Sequence, residues 1–143
     1  MKRLLLLLSV FPCIMMYGQT TINGYVYDDA NGNGKRDRRE QGIANVAVSN
    51  GFDVVLTDEE GRYSFVVGDD NIISVIKPSG YKFPLNNYNQ PQSYQIHKPE
   101  GSPSTNYPGV APTGKLPKSL DFAMIKYDEP EDFTSFVFGY TDI

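Results

Sequence analysis

Between Thr20 and Lys77, short alternating stretches are separated at even intervals by turn-forming residues, and this constrains the fold more than any other feature. Thr20 to Asp28 (TTINGYVYD) alternates and is rich in β-branched and aromatic residues. Ile43 to Ser49 (IANVAVS) follows, with Ile43, Val46 and Val48 as candidate inward residues. Asp53 to Thr57 (DVVLT), Arg62 to Val67 (RYSFVV) and Ile72 to Lys77 (IISVIK) complete the set. A period of two puts successive side chains on opposite faces, which is the mark of a strand. Asn50-Gly51, Asp58-Glu59-Glu60-Gly61 and Gly68-Asp69-Asp70-Asn71 are the turns between them. No amphipathic stretch is long enough for a helix. The pattern predicts an all-β chain folded as a small antiparallel β-sandwich. Ten Tyr, eight Phe and thirteen Gly with no Trp agree with it.

From Pro78 to Lys118 the character changes. Eight of the ten prolines lie there, among Asn, Gln, Ser, Gly and Tyr. A connection this long is uncommon inside a compact domain and is usually functional or disordered. Tyr81, Phe83, Tyr88, Tyr94 and Tyr107 argue for order, since disordered linkers are poor in aromatics. The expectation is an ordered, irregular excursion over the sandwich, with a short strand at Gln92 to Ile96. Leu120 to Lys126 (LDFAMIK) then reads as the last strand of the domain. Asp128-Glu129-Pro130-Glu131-Asp132 is an acidic linker, and Phe133 to Phe138 (FTSFVF) begins a further strand that has no partner in residues 128–143.

One interruption carries chemistry. Asp29 to Glu40 places oxygen side chains at loop positions 1, 3, 5, 9 and 12, with Gly at position 6, the spacing of a twelve-residue calcium loop. Asp29, Asn31, Asn33 and Asp37 each offer one side-chain oxygen, Lys35 its backbone carbonyl, and Glu40 two oxygens. Ca²⁺ takes six to eight oxygen ligands. Strand-like sequence flanks the loop on both sides, so a bound ion would be structural and would organise a β domain. The competing reading is a turn closed by its own charges: Lys35, Arg36, Arg38 and Arg39 balance Asp28, Asp29, Asp37 and Glu40.

Met1-Lys2-Arg3 followed by the apolar run Leu4 to Met16 reads as a secretory signal. It is shorter than the roughly 20 residues of a membrane span. Residues 1–18 are expected to be cleaved after Gly18, leaving a periplasmic or extracellular protein. A lipoprotein would have to use Cys13, but Pro12 stands where a small residue is needed and Ile14-Met15-Met16 stays apolar. Cleavage removes Lys2 and Arg3, so the formal charge moves from −4 to −6. No basic cluster is left unbalanced by acids, which argues against nucleic acid as a partner. Cys13 is the one cysteine, so a cleaved chain has neither a disulfide nor a thiolate metal site.

Gly24 to Gly34, Glu40 to Ile43, Val46 to Gly51 and Thr57 to Phe65 resemble two related things. They are similar to the B-type repeats of bacterial surface adhesins, prealbumin-like β-sandwiches whose Asp-x-Asn-x-Asx-Gly loop binds calcium. More narrowly, they resemble the N-terminal domain of exported calcineurin-like metallophosphoesterases. His97 to Pro103, Gly114 to Pro117 and Ser119 to Phe122 are similar to the second half of that domain. Phe133 to Gly139 resembles the first strand of the phosphoesterase domain that follows it. The resemblance implies a domain at 19–127 and a truncated phosphoesterase segment at 128–143. It also implies that the module packs on its own phosphoesterase domain in a longer protein.

Calcineurin-like enzymes hold two catalytic metal ions with Asp, His and Asn ligands, the first pair being Asp-x-His after the first strand. Both ions are needed to activate a water and to stabilise the leaving oxygen. Here the strand ends in Gly139-Tyr140-Thr141-Asp142-Ile143. Either Tyr140 occupies the first Asp position, or Asp142 is that Asp and its partner lies beyond Ile143. On both alignments the two-metal site is not formed by this chain, which is expected to be non-catalytic. The rivals are an adhesin-like module contacting carbohydrate or a cell surface through its aromatic excursion, and a small hydrolase. His97 is the one histidine, and Ser102 and Ser104 have no His–Asp pattern that would make either a nucleophile.

Overall fold

A computed structural model describes residues 20–102 and 109–127. The proposed leader with Cys13, the segment from Pro103 to Pro108, and the linker and strand at 128–143 lie outside the described residues. Among the described residues there is no helix. Eight strands form two four-stranded sheets, an all-β sandwich as the alternation predicts. They are β1 (Thr20–Asp28), β2 (Ala47–Ser49), β3 (Val54–Leu56), β4 (Arg62–Val67), β5 (Asn71–Val75), β6 (Tyr81–Lys82), β7 (Tyr94–His97) and β8 (Phe122–Lys126). One sheet runs β4-β1-β8-β6 and the other β3-β2-β5-β7.

The pairings are antiparallel except one. β1 and β8 run parallel, with Val26 opposite Phe122 and Asp28 opposite Met124. The core lies between the sheets. Ile22 and Val26 of β1, Tyr63, Phe65 and Val67 of β4, and Phe122 and Met124 of β8 face Val46, Val48, Ile73 and Val75 from the other side. Tyr63 also donates its hydroxyl to the Leu120 carbonyl at 2.6 Å, which satisfies the one polar atom that ring brings into the core.

β2, β3, β5 and β8 are shorter than the alternation implies, β2 by the most. β2 starts at Ala47 because Asn45 takes a left-handed φ of 59° and the Val46 N–H turns to the Thr57 hydroxyl at 2.9 Å. That buried hydroxyl donates in turn to the Ile43 carbonyl at 2.7 Å. The β2–β3 turn is centred one residue later than Asn50-Gly51. Asn50 is its first residue, and its side-chain oxygen accepts from the N–H groups of Phe52 and Asp53.

The Pro-rich excursion is built into both sheets. Its β7 extends the second sheet, with Ile72 opposite Ile96, close to the expected strand. Its β6 has only two residues, too few for any period, and closes the first sheet against β8.

Asn50 and Asn71 are buried at the end of the sandwich where β1 begins. Asn71 accepts from the Gly68 N–H and donates to the Asn50 carbonyl; Asn50 donates to the Val66 carbonyl at 3.0 Å. At the opposite end β1 runs out into the Asp29–Glu40 loop. Gly61 (φ 75°) and Gly42 let the chain pass there without a side chain: a Cβ on Gly42 would lie 1.8 Å from the Glu60 carbonyl. Val26 then bonds to Gly61 and Ile43 through backbone contacts of 2.8 Å each.

Candidate metal centre

The loop is rooted in the sheet at both ends. Asp28 N–H donates to the Gln41 carbonyl at 2.9 Å, and Asp29 N–H to the Met124 carbonyl of β8 at 2.7 Å. Asp29 is therefore only 2% exposed, although it opens a loop of exposed residues. Its carboxylate accepts the N–H groups of Asn33 at 3.1 Å and Gly34 at 2.8 Å. Gly32 and Gly34, each at φ 70°, supply the left-handed backbone that folds the loop back onto Asp29. The Asn31 oxygen accepts from Asn33 N–H, and the Asn33 oxygen from Lys35 N–H. Asp37 accepts the amide groups of both Asn31 (2.8 Å) and Asn33 (2.9 Å). Asp37 N–H donates to Glu40 Oε2 at 2.8 Å.

All five side-chain positions read from the sequence thus sit in one hydrogen-bonded network. Lys35 joins it through its N–H. Glu40 Oε1 is the exception within the network: it is sealed from solvent and has no hydrogen-bond partner. An unpaired buried acceptor costs roughly 1–3 kcal/mol, and more when it is charged. Either an N–H or O–H donor or a cation can satisfy such an oxygen. The loop's carboxylate and amide oxygens are of the type that Ca²⁺ takes. The Asn31 and Asn33 amides present their NH₂ groups to Asp37 here; a cation requires their oxygens.

Among the described residues, no ion pair joins the loop's acids to Lys35, Arg36, Arg38 or Arg39; the ion pairs there are Arg62–Glu60 and Lys98–Asp70. The Arg36 guanidinium instead lies over the Tyr25 ring, 3.8 Å from its centre. Also among the described residues, no group of three His, Cys, Asp or Glu side chains converges as a metal cluster. Any cation here must draw on the asparagines as well as the carboxylates.

Tyr27 is a neighbour of the site that the loop spacing did not reveal. It is 1% exposed at the end of β1. Its hydroxyl is pushed up to about 12, first by burial and then by the negative charges of Asp29, Glu40, Asp121 and Asp37. Its place two residues before Asp29, on the face opposite Val26, is the only trace of this in the sequence.

The remaining candidates stand apart from the loop. His97 is buried on β7, opposite Asn71. The Ser102 hydroxyl accepts from Val110 N–H at 3.0 Å, a loop-closing contact. Ser104 lies outside the described residues. Among the described residues no helix is long and apolar enough to cross a membrane.

The described residues form a helix-free β-sandwich with an oxygen-lined loop at one end. Comparison with known proteins identifies the family: the chain belongs to the N-terminal domains of calcineurin-like phosphoesterases, whose family model matches residues 30–108. Among solved structures, the chain is similar to the crystal structure of the major plantain pollen allergen Pla l 1. That match has 16% identity and a TM-score of 0.44, and covers 80% of this chain and 99% of the allergen. No curated protein matches.

Proposed function

We propose that the chain is the non-catalytic front module of an exported calcineurin-like phosphoesterase, and that a calcium ion in the Asp29–Glu40 loop stabilises it. The observation that carries the calcium reading is Glu40 Oε1, buried without a partner, whereas both oxygens of the buried Asp29 and Glu40 Oε2 accept N–H groups. Asp29, Asn31, Asn33, Asp37 and Glu40 would hold the ion by side chain and Lys35 by its carbonyl. The ion would tie the end of β1 to the start of the Gly42–Ile43 crossing. A non-catalytic role is supported by the residues at hand. The one histidine is packed on β7, and the loop's oxygens suit a closed structural site with no nucleophile beside it.

Calorimetry of residues 19–127 with Ca²⁺ tests the ion. Heat that vanishes in Glu40→Gln is expected, since Glu40 can supply two oxygens. No heat at millimolar Ca²⁺, where even weak extracellular sites fill, defeats the calcium reading. Phosphodiesterase assays with Mn²⁺, Fe²⁺ or Zn²⁺ test the other half. Turnover by the 143-residue chain would overturn the non-catalytic role.

A further inference from the structure

An antiparallel sheet with one face on the core normally turns polar side chains to water. The β4-β1 pair follows this at Arg62, Ser64, Thr21 and Asn23, with the half-exposed Val66 as its exception. The second sheet does not. Its outward positions form three rows across the strands. The first holds Leu56 of β3, Ala47 of β2 and Ile76 just after β5. The second holds Val54, Ser49, Ser74 and Tyr94. The third pairs Ile72 with Ile96. None of these side chains is charged. Val54, Leu56, Ile72, Ile76 and Tyr94 are each more than half exposed. Their inward neighbours Val48, Ile73 and Val75 fill the core, so the face is not the product of a slipped register. Contiguous exposed apolar surface of this kind marks an interaction site.

We infer that the outward face of the β3-β2-β5-β7 sheet is the surface on which the following phosphoesterase domain docks. This rests on the front-module reading above. Three observations choose that occupant. The chain leaves the sandwich at Tyr127, whose N–H is held by the Gly80 carbonyl at 2.7 Å. β8 runs parallel to β1 and finishes at the end of the sandwich where Ile43 meets Val26 and Thr57 meets Val46, which is also the end that holds the first row. The acidic stretch 128–132 can span at most about 17 Å, which keeps whatever follows close to this end. The three rows carry no lysine or arginine, and Lys98 at their border is paired with Asp70, which disfavours a surface of anionic headgroups. The face matches the buried, uncharged centre of a lasting interface between domains.

Single cysteines read the face directly. Ser74→Cys reports the proposed interface and Ser64→Cys the outer face of the other sheet, with Cys13 replaced by Ser in both. Maleimide labelling is compared between the 143-residue chain and the full-length protein continued through its phosphoesterase domain. Ser49→Cys repeats the measurement should Ser74→Cys lower the melting temperature. The inference expects the face probe to react freely in the short chain and at least tenfold more slowly in the full-length protein, while Ser64→Cys reacts alike in both. Equal reactivity of the face probe in a full-length protein with phosphoesterase activity overturns the interface and leaves the front-module reading standing. Protection already in the short chain, with a doubled mass in solution, also overturns it, because a second copy then covers the face. A reading frame that continues into no phosphoesterase domain defeats both proposals together.

Discussion

The two ends of the sandwich each bury a knot of polar side chains, and only one knot is closed. Where β1 begins, the Asn50 and Asn71 amides use their oxygens and nitrogens on backbone groups of the turns around them. Where β1 ends, the network from Asp29 to Glu40 leaves Glu40 Oε1 without a partner. Both ends solve the same problem, which is that turns between short strands bury backbone groups that must be paired. Neutral amides, which donate and accept, can close such a knot by themselves. Carboxylates only accept, so each needs a donor or a positive charge brought to it; Asn33 and Gly34 N–H groups serve Asp29, and Glu40 Oε1 has none.

The sharpest way to break this contrast is at the closed end. Asn50→Ala removes a buried side chain that serves three backbone groups. It should destabilise the domain by about 3 kcal/mol, with or without Ca²⁺. Urea unfolding in calcium and in chelator would show it, and a loss present only in calcium would mean the two ends are coupled. The next effect belongs to the open end. An ion that binds only the folded state adds about 2.7 kcal/mol at a hundred times its Kd. Thermal melts of the parent domain should therefore separate in calcium and chelator, while Glu40→Gln melts should coincide.

Tyr63→Phe isolates a single neutral hydrogen bond between the two ends. It should cost about 1 kcal/mol by stranding the Leu120 carbonyl, independent of calcium. The smallest effect is in titration. A folded-state phenol held near 12 contributes stability that is whole below the ordinary value of 10.0 and fades as pH rises through about 12. Part of that elevation comes from Asp29, Glu40 and Asp37. A cation among them should lower the pH at which Tyr27 ionises, seen as the difference in phenolate absorbance between the parent and Tyr27→Phe. A titration unmoved by calcium would place the ion elsewhere.

Much of this architecture is legible in one dimension. β1, β4 and β8 follow from alternation, and the membership of the Asp29–Glu40 hydrogen-bonded network follows from spacing within twelve consecutive residues. The family also showed in local motifs. What was not legible depends on partners far apart in sequence. β6 exists because β8 offers an edge, and the parallel β1–β8 pair joins residues almost a hundred positions apart. The isolation of Glu40 Oε1 depends on how the loop packs on the sheet, which ligand spacing does not encode. The uncharged face had a signal that alternation alone overlooked. DVVLT and IISVIK are apolar at consecutive positions, so both of their faces are apolar.

The parallel pairing of β1 with β8 has a mechanical consequence. Among the described residues the first and last strands lie side by side and point the same way, so Thr20 and Tyr127 stand at opposite ends of the sandwich. A pull between entry and exit loads Val26–Phe122, Tyr27–Ala123 and Asp28–Met124 in shear. Rungs loaded in shear must give way together, whereas rungs at a peeling edge open one at a time. Leu120 N–H on the Asn23 carbonyl, at 2.9 Å, adds a further rung to the same clamp. The strand pair that closes the core is thus also the one that would carry tension between whatever lies before Thr20 and whatever lies after Tyr127.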